Sequence, residues 1–100
     1  MEDPEGKRAY VYMLTNFWSN VLYIGSTEDL KTRLSQHKKR LIPGFTQKYN
    51  VDKLVYFEGH PSLESAEVRE KQLKGKKRVK KNAIVESINP KWNDLSSRVS

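Results

Sequence analysis

Residues 9–26 of the chain read AYVYMLTNFWSNVLYIGS, and this stretch decides the fold. Two short runs within it, residues 10–14 and 21–26, are rich in β-branched and aromatic side chains, which favour strands. The intervening residues 15–20 include two asparagines and a serine. Two strand-like runs joined by a short polar segment predict a β-hairpin with a longer loop.

The register of this hairpin follows if its loop is symmetric about its midpoint. Tyr12 then lies directly opposite Tyr23, with the two Cβ atoms roughly 4.5–5.5 Å apart. Tyr10 lies opposite Gly25 in the same register. Two neighbouring phenols either form the wall of a site or are simply aromatic residues in the strands that they prefer.

The composition indicates one small cytoplasmic domain. One hundred residues, 36% of them apolar, allow a single modest core. The absence of cysteine fits a reducing compartment, and no apolar run approaches the roughly 20 residues that span a bilayer. We therefore expect a monomer with no membrane contact, with a single domain over residues 9–95 and flexible ends at residues 1–8 and 96–100.

The net charge of +7 points to an anionic partner. Residues 31–40 contain five basic side chains and no acidic one, and residues 69–81 contain eight basic side chains and one acidic one. Such clusters favour contact with the phosphates of nucleic acid, although they also occur on solvated helix faces. The side chains expected to bind nucleic acid are Lys31, Lys38, Lys39, Arg40, Lys48, Lys74, Lys76, Lys77, Arg78, Lys80 and Lys81.

A first helix is predicted directly after the hairpin. Ser26 or Thr27 can cap its N-terminus, and leucines at helical spacing extend it to about Arg40. Arg33 and His37 are four residues apart, so they share one face of this helix. Taken alone, they are equally well explained as a surface charge and a partly exposed histidine. A third strand follows at residues 53–58, and its apolar side chains on both faces predict a central or well-covered strand.

Glu70 is the most unusual residue of the second helix, for which Ser62 is the expected N-cap. Leu63, Ala66 and Leu73 form the inward stripe of that helix. Glu70 falls in the middle of this stripe, where a carboxylate is unfavourable unless it is paired or binds a cation. Glu70 is therefore the candidate metal ligand or buried catalytic acid. The alternative is that it reaches a basic neighbour at the end of a narrow stripe.

A third helix is expected to stop at Asn89, because Pro90 disfavours a helical conformation for the residue before it. Trp92 and Leu95 in the following tail are expected to pack back onto the sheet. The predicted order of elements is β-β-α-β-α-α.

These residues, taken in order, resemble the motifs of the GIY-YIG endonuclease superfamily, and in particular its short stand-alone bacterial members. The sequence YVY that ends at Tyr12 stands where that family has Gly-Ile-Tyr, and the YIG that starts at Tyr23 is its second motif unchanged. Arg33 and His37 follow as in the first helix of the family. Glu70 stands where the family keeps its metal-binding glutamate.

The resemblance implies an α+β fold in which helices flank a three-stranded antiparallel sheet. It also implies a metal-dependent DNA endonuclease, structure-selective and linked to DNA repair or recombination, that contacts the DNA backbone with low sequence specificity. The implied catalytic residues are Tyr12, Tyr23, Arg33, His37 and Glu70. Glu70 would hold one Mg²⁺ or Mn²⁺, and either Asn89 or Asn93 would supply the supporting asparagine of the family. Ser26 stands where repair relatives carry a lysine.

For hydrolysis, a tyrosine is predicted as the general base, with its pKa lowered by Arg33 or the metal and with His37 orienting it or relaying the proton. One alternative function is a non-catalytic module that binds DNA or RNA, and another is a basic accessory protein of RNA or the ribosome. The presence of both Glu70 and Arg33 favours the enzyme, because cutting needs both groups and binding does not.

Overall fold

The structure is a computed structural model that describes residues 8–41, 44 and 48–99. Within these ranges it contains strands β1 (Ala9–Thr15), β2 (Leu22–Thr27) and β3 (Lys53–His60), and helices α1 (Leu30–Lys38), α2 (Leu63–Lys74) and α3 (Arg78–Ile88). The strands form one antiparallel sheet in the order β2-β1-β3. The α+β fold and the element order β-β-α-β-α-α predicted from the sequence are thereby confirmed.

Strand β1 is the centre of the molecule, and all of its residues are buried. Side chains of a strand alternate between the two faces of a sheet, so β1 contributes to two separate cores. The core on the face covered by α1 includes Tyr12, Leu14, Leu30, Leu34 and Leu54, and the core on the face covered by α2 and α3 includes Val11, Met13, Ala66, Leu73 and Val85. We refer to these as the α1 face and the α2–α3 face.

The predicted third strand differs from the observed one in length and position. β3 continues to His60 instead of ending at residue 58, and it lies at an edge of the sheet rather than at its centre. The alternative prediction of a well-covered strand holds for its first half, where Leu54, Val55 and Tyr56 are buried. Apolar residues on both faces therefore reflect helices on both sides of the sheet and not a central position.

The predicted register of the hairpin is wrong by two residues. Tyr12 pairs with Gly25, not with Tyr23, because the strands stay paired up to Thr15 and Leu22. The loop therefore consists of residues 16–21 rather than 15–20. Tyr12 and Tyr23 are still on the same face, as diagonal rather than direct neighbours.

Helix α1 is shorter at both ends than predicted. Ser26 and Thr27 remain part of β2, and Asp29 is the N-cap, its carboxylate accepting a hydrogen bond from the Thr32 amide at 3.1 Å. The helix ends before Arg40, whose φ of 56° is incompatible with a right-handed helix. Ser62 is the N-cap of α2, as predicted, with its hydroxyl 3.1 Å from the Ser65 amide nitrogen.

The C-terminal residues pack against the domain. Leu95 is buried on the α1 face, and its amide donates to the Leu54 carbonyl at 2.7 Å. Ser96–Arg98 form a 3-10 helix and Val99 is only 2% exposed, although the sequence predicted flexibility from residue 96 onwards. Residues 1–7 of the predicted flexible N-terminus lie outside the described residues. Of the helices that the structure describes, none is long and apolar enough to cross a membrane.

Candidate active site

The phenol of Tyr12 crosses over Gly25 of the neighbouring strand. A Cβ atom at position 25 would lie 2.6 Å from the Tyr12 hydroxyl oxygen and 2.7 Å from Cζ. Glycine is the residue that permits such a close approach, because it has no side chain. The glycine of the YIG sequence therefore makes room for the tyrosine of the YVY sequence.

Three further predicted residues surround the Tyr12 phenol on the α1 face. Its hydroxyl oxygen is 3.2 Å from His37 Nε2, and the guanidinium of Arg33 lies beside it. The ring centroid of Tyr23 is 6.2 Å from that of Tyr12 and 5.5 Å from that of His37. Arg33 and His37 reach the same place because residues four apart lie on one face of a helix. The structure thus brings four of the five predicted catalytic residues together.

The four groups differ in their access to solvent. Tyr12 is fully buried and His37 is 3% exposed, whereas Tyr23 and Arg33 are half-buried. A substrate approaching this cluster therefore meets Tyr23 and Arg33 first, with Tyr12 and His37 behind them.

The pKa values of the two inner groups, Tyr12 and His37, are shifted away from those that a tyrosine base would require. Burial, together with neighbouring Tyr23, raises the pKa of Tyr12 above its ordinary value, and Arg33 only partly offsets this. Arg33 alone therefore does not lower the pKa of Tyr12 below its ordinary value, and a tyrosine base activated by a metal stays a prediction. Burial, reinforced by Arg33, lowers the pKa of His37 to about 4, so its imidazole is neutral at pH 7. Among the described residues, His37 Nδ1 has no hydrogen-bond partner.

Glu70 approaches from the other face of the sheet. Its Oε1 accepts a hydrogen bond from the Ser26 hydroxyl at 2.5 Å, and its Oε2 lies 2.5 Å from the Lys74 ammonium. Ser26 follows Gly25 in β2, so their positions face opposite sides of the sheet. The candidate site therefore extends around the edge formed by β2, with the Tyr12 cluster on one side and the glutamate on the other.

One partner of Glu70 fits the alternative stated from the sequence and the other was not anticipated. Lys74 is the basic neighbour of that alternative, since a glutamate and a lysine at i and i+4 are a recognised helical pair. Ser26 is 44 residues away in the chain, and its only signal was its position after the YIG sequence. The side chain of Glu70 is 19% exposed, which fits its predicted place in the inward stripe of α2.

A network of polar side chains fixes α2 against β3 and so helps to position Glu70. Glu58 accepts hydrogen bonds from Arg69 Nε at 3.0 Å and from the Tyr56 hydroxyl at 3.1 Å. The His60 ring lies between Glu58 and Ser65, with its nitrogens 3.1 Å and 2.8 Å from their oxygens. This network links the end of β3 to the first two turns of α2.

A divalent metal ion fits Glu70 as its carboxylate ligand. Magnesium in phosphate chemistry is commonly held by one or two carboxylates, while water and substrate phosphates complete its coordination. Oε2 of Glu70 is bound to the Lys74 ammonium, which a metal at this oxygen would have to displace. Among the described residues, no group of three or more histidine and acidic side chains could hold a metal. An ion held by Glu70 would therefore take its other ligands from water and substrate.

The two candidate asparagines lie together at the end of α3. The Asn89 side chain is buried; its Nδ2 donates to the Val55 carbonyl at 3.0 Å and to the Asn93 carbonyl at 2.9 Å. Its Oδ1 accepts from the Asn93 amide at 3.0 Å. All of these contacts tie the C-terminal tail to β3, and Asn93 itself is exposed.

The predicted nucleic-acid-binding side chains are mostly exposed and fall into two groups on opposite faces of the sheet. Some of them form intramolecular contacts: Lys38 lies 3.2 Å from Asp94, Lys74 binds Glu70, and Arg78 donates to two loop carbonyls. Exposed ion pairs such as that of Lys38 are weak, so this cation can exchange its partner for a phosphate.

Comparison with known proteins agrees with this arrangement. The solution NMR structure of the UPF0213 protein BH0048 from Bacillus halodurans is similar to the chain, with a TM-score of 0.55 and 27% identity, over 86% of this chain and 90% of that one. No curated protein sequence matches significantly. The model of the GIY-YIG catalytic domain matches residues 8–82, a range that includes Tyr12, Tyr23, Arg33, His37 and Glu70. The chain therefore belongs to the GIY-YIG family and carries a nuclease-type catalytic domain.

Proposed function

We propose that this protein is a metal-dependent DNA endonuclease that hydrolyses phosphodiester bonds in a structure-selective manner, with a role in DNA repair or recombination. The observation that supports it is the convergence of Tyr12, His37, Arg33 and Tyr23 on one side of β2, with Glu70 anchored to the same strand from the other side. A domain that only bound DNA would need cations but not this enclosed set of titratable groups.

Arg33 is the group that binds the scissile phosphate. Its guanidinium is half-buried beside Tyr12, and its planar fork can donate to two phosphate oxygens. A metal bound at Glu70 would stabilise negative charge on the phosphate and on the leaving 3′ oxygen. Arg33 and Glu70 would thus contact the substrate from the two sides of the β2 edge.

The proton of the attacking water leaves along the line of buried groups. The water oxygen forms a bond to phosphorus, the bond from phosphorus to the 3′ oxygen breaks, and the proton of the water passes to the half-buried Tyr23. The leaving 3′ oxygen takes a proton from solvent water and becomes a hydroxyl. Tyr23 gives its own proton to Tyr12, and Tyr12 gives its proton to His37 Nε2, 3.2 Å away. The imidazole of His37 is neutral at pH 7, so its Nε2 can accept a proton. Burial and Arg33 oppose the resulting cation, and the negative charge of the bound phosphate favours it.

A plasmid-nicking assay tests the proposal. Supercoiled, nicked and branched DNA would be incubated with the protein in Mg²⁺, Mn²⁺ or EDTA. We expect nicking with either metal, no nicking in EDTA, and loss of nicking in Glu70→Gln. Glu67→Gln is the matched control, because Glu67 lines the same shallow cavity of about 240 Å³ and is exposed. Equal nicking by Glu70→Gln and wild type would contradict the role of this carboxylate.

A non-catalytic nucleic-acid-binding module is the second candidate, and one observation favours it. The Lys74 ammonium lies 2.5 Å from Oε2 of Glu70, where it neutralises the carboxylate that would hold the metal. If DNA binding is retained and no metal supports nicking, this second function is the correct one.

A further inference from the structure

Two aromatic side chains at the tip of the hairpin project into solvent. Phe17 is 78% and Trp18 is 76% exposed, the highest values among the large apolar side chains of the described residues. Their rings meet edge to face, with centroids 4.8 Å apart and an interplanar angle of 85°. We call residues 17 and 18 the aromatic tip. Adjacent exposed aromatic rings of this size are typical of binding surfaces.

The backbone that carries the aromatic tip is firmly held. Oδ1 of Asn16 accepts a hydrogen bond from the Asn20 amide at 3.1 Å, and the two asparagine side chains bond each other at 2.6 Å. Ser19 adopts a left-handed φ of 57°, and Arg78 of α3 donates to the carbonyls of Ser19 and Asn20 at 3.2 Å and 3.3 Å. The two rings are therefore presented by an ordered loop, which reduces the entropy lost when they bind a partner.

Two cationic side chains and one acidic side chain lie beside the aromatic tip. A cavity of about 430 Å³ lies against it, and its other lining residues include Arg40, Lys48, Tyr49 and Asp52, whose carboxylate is 3.8 Å from Arg40. The Lys48 ammonium is 5.4 Å from the centre of the Tyr49 ring. Arg78 approaches the same loop from the opposite face of the sheet. The two basic clusters of the sequence therefore meet at this loop.

We propose that the aromatic tip stacks against unpaired nucleobases, while Arg40 and Lys48 bind the phosphates that link them. Aromatic rings beside a basic groove are the combination by which proteins bind single-stranded nucleic acid. Bases within a duplex stack on each other and expose no free face to the rings. The inference rests on the proposed function, and it specifies the substrate as DNA with an unpaired segment, such as a flap or a gap.

The distance between the aromatic tip and Tyr12 gives the geometry of this substrate. Phe17 is five positions from Tyr12 in the chain and lies in the loop beyond the end of β1, so the two Cα atoms are at most about 17 Å apart. B-DNA rises about 3.4 Å per base pair, so the unpaired bases would bind within roughly five base pairs of the scissile bond.

Tryptophan fluorescence measures this contact without cleavage. The chain has two tryptophans, so Trp92→Phe leaves Trp18 as the only reporter. In EDTA, we expect a single-stranded oligothymidylate to quench Trp18 fluorescence strongly and a duplex of equal length to quench it weakly. In the otherwise unchanged chain, the double substitution Phe17→Ala, Trp18→Ala should weaken binding of the single strand, measured by fluorescence anisotropy of a labelled oligonucleotide, about 5- to 150-fold.

Salt dependence separates stacking from charge. The double alanine variant should retain the slope of log affinity against log salt, whereas Lys48→Ala should reduce it by about 0.7, as expected for one phosphate contact on a single strand. Val79→Ala is the control, because Val79 is 69% exposed near the basic residues of α3 and should leave single-strand affinity unchanged.

Three results would overturn the inference: no quenching of Trp18, equal losses of affinity for single strand and duplex, or a dimer in sedimentation that dissociates in Trp18→Ala. The last result would assign the aromatic tip to a second copy of the chain. Quenching without any nicking would leave the inference standing and refute the nuclease. Nicking without quenching would refute the inference and leave the nuclease standing.

Discussion

The hydroxyl oxygen of Tyr12 occupies the space next to Gly25 that a side chain would otherwise fill. The contact joins the central strand to the edge strand at the position where the candidate site crosses from one face of the sheet to the other. It also explains why a glycine is needed here although its backbone has an ordinary extended conformation. The glycine is required by its neighbour and not by its own φ angle.

Gly25→Ala should therefore destabilise the fold. The added methyl group would lie 2.6 Å from a phenol that is itself fully buried, so either Tyr12 or the strand must shift. We expect a loss of about 1–3 kcal/mol in the free energy of unfolding, measured in urea. Gly75→Ala is the control, since its Cβ would meet only backbone oxygens at 3.6 Å and 3.7 Å in a right-handed helical conformation. Equal stabilities of the two variants would contradict the tight contact.

Stability should fall in mild acid because of His37. The folded pKa of about 4 lies below the ordinary 6.5, so between these values the unfolded chain binds the proton and the folded chain does not. Lowering the pH from neutral to about 5 should remove roughly 2 kcal/mol of stability through this group. His37→Gln should lose this part of the pH dependence in urea titrations, and an unchanged pH dependence would show that His37 titrates normally.

Tyr12→Phe tests the proton path from Tyr23 to His37. Removing the buried hydroxyl should lower the single-turnover nicking rate about 10²- to 10⁴-fold, the usual contribution of general acid–base catalysis. DNA affinity should stay unchanged, because Tyr12 has no exposed surface. Tyr10→Phe, on the same face of the same strand, is the control and should nick normally. A full rate in Tyr12→Phe would remove this hydroxyl from the proposed mechanism.

Lys74→Ala should strengthen metal binding at Glu70. The Lys74 ammonium is bound to Oε2, so a metal at that oxygen must displace it. The affinity for Mn²⁺, measured from the electron paramagnetic resonance signal of the free ion, should increase more in Lys74→Ala than in Lys71→Ala. Lys71 lines the same cavity as Glu70, and its replacement by alanine removes the same charge as Lys74→Ala. Equal effects of the two variants would mean that only long-range charge matters.

The two candidate asparagines should differ in their effect on folding. Asn89→Ala removes a buried hydrogen bond to the Val55 carbonyl and two part-buried ones to the Asn93 backbone, so it should cost about 1–3 kcal/mol of stability. Asn93→Ala should change stability little, because its own side chain is exposed. If Asn93→Ala abolishes nicking with full stability, Asn93 is the supporting asparagine of the site. If Asn89→Ala is as stable as wild type, its hydrogen bonds are not structural.

Periodicity was sufficient to predict the elements and their order from the sequence, whereas capping residues located the start of α2 but not that of α1. Neither was sufficient for the register, because Thr15 suits either a strand end or a polar loop, and its place depends on the hydrogen bond from its hydroxyl to the Val21 carbonyl. The same limit applies to the site. The i,i+4 spacing of Arg33 and His37 is a local pattern, whereas the contact between Ser26 and Glu70 depends on how α2 packs across the sheet.

The pKa values were the least predictable property of the site. Tyr12 and His37 are enclosed by β1, β2 and α1 together, and the resulting loss of hydration outweighs the charge of Arg33 on the phenol. This burial depends on how three elements pack together, so it could not be predicted from the spacing of residues along the chain.

The register of the hairpin has a consequence for the whole site. Because adjacent residues of a strand face opposite sides, the pairing of Tyr12 with Gly25 places Gly25 beneath the phenol while Ser26 meets Glu70. A slip of β2 by one position against β1 would place a larger side chain beneath the phenol and turn Ser26 away from the carboxylate. The register that ends at this loop therefore keeps the two halves of the site in phase.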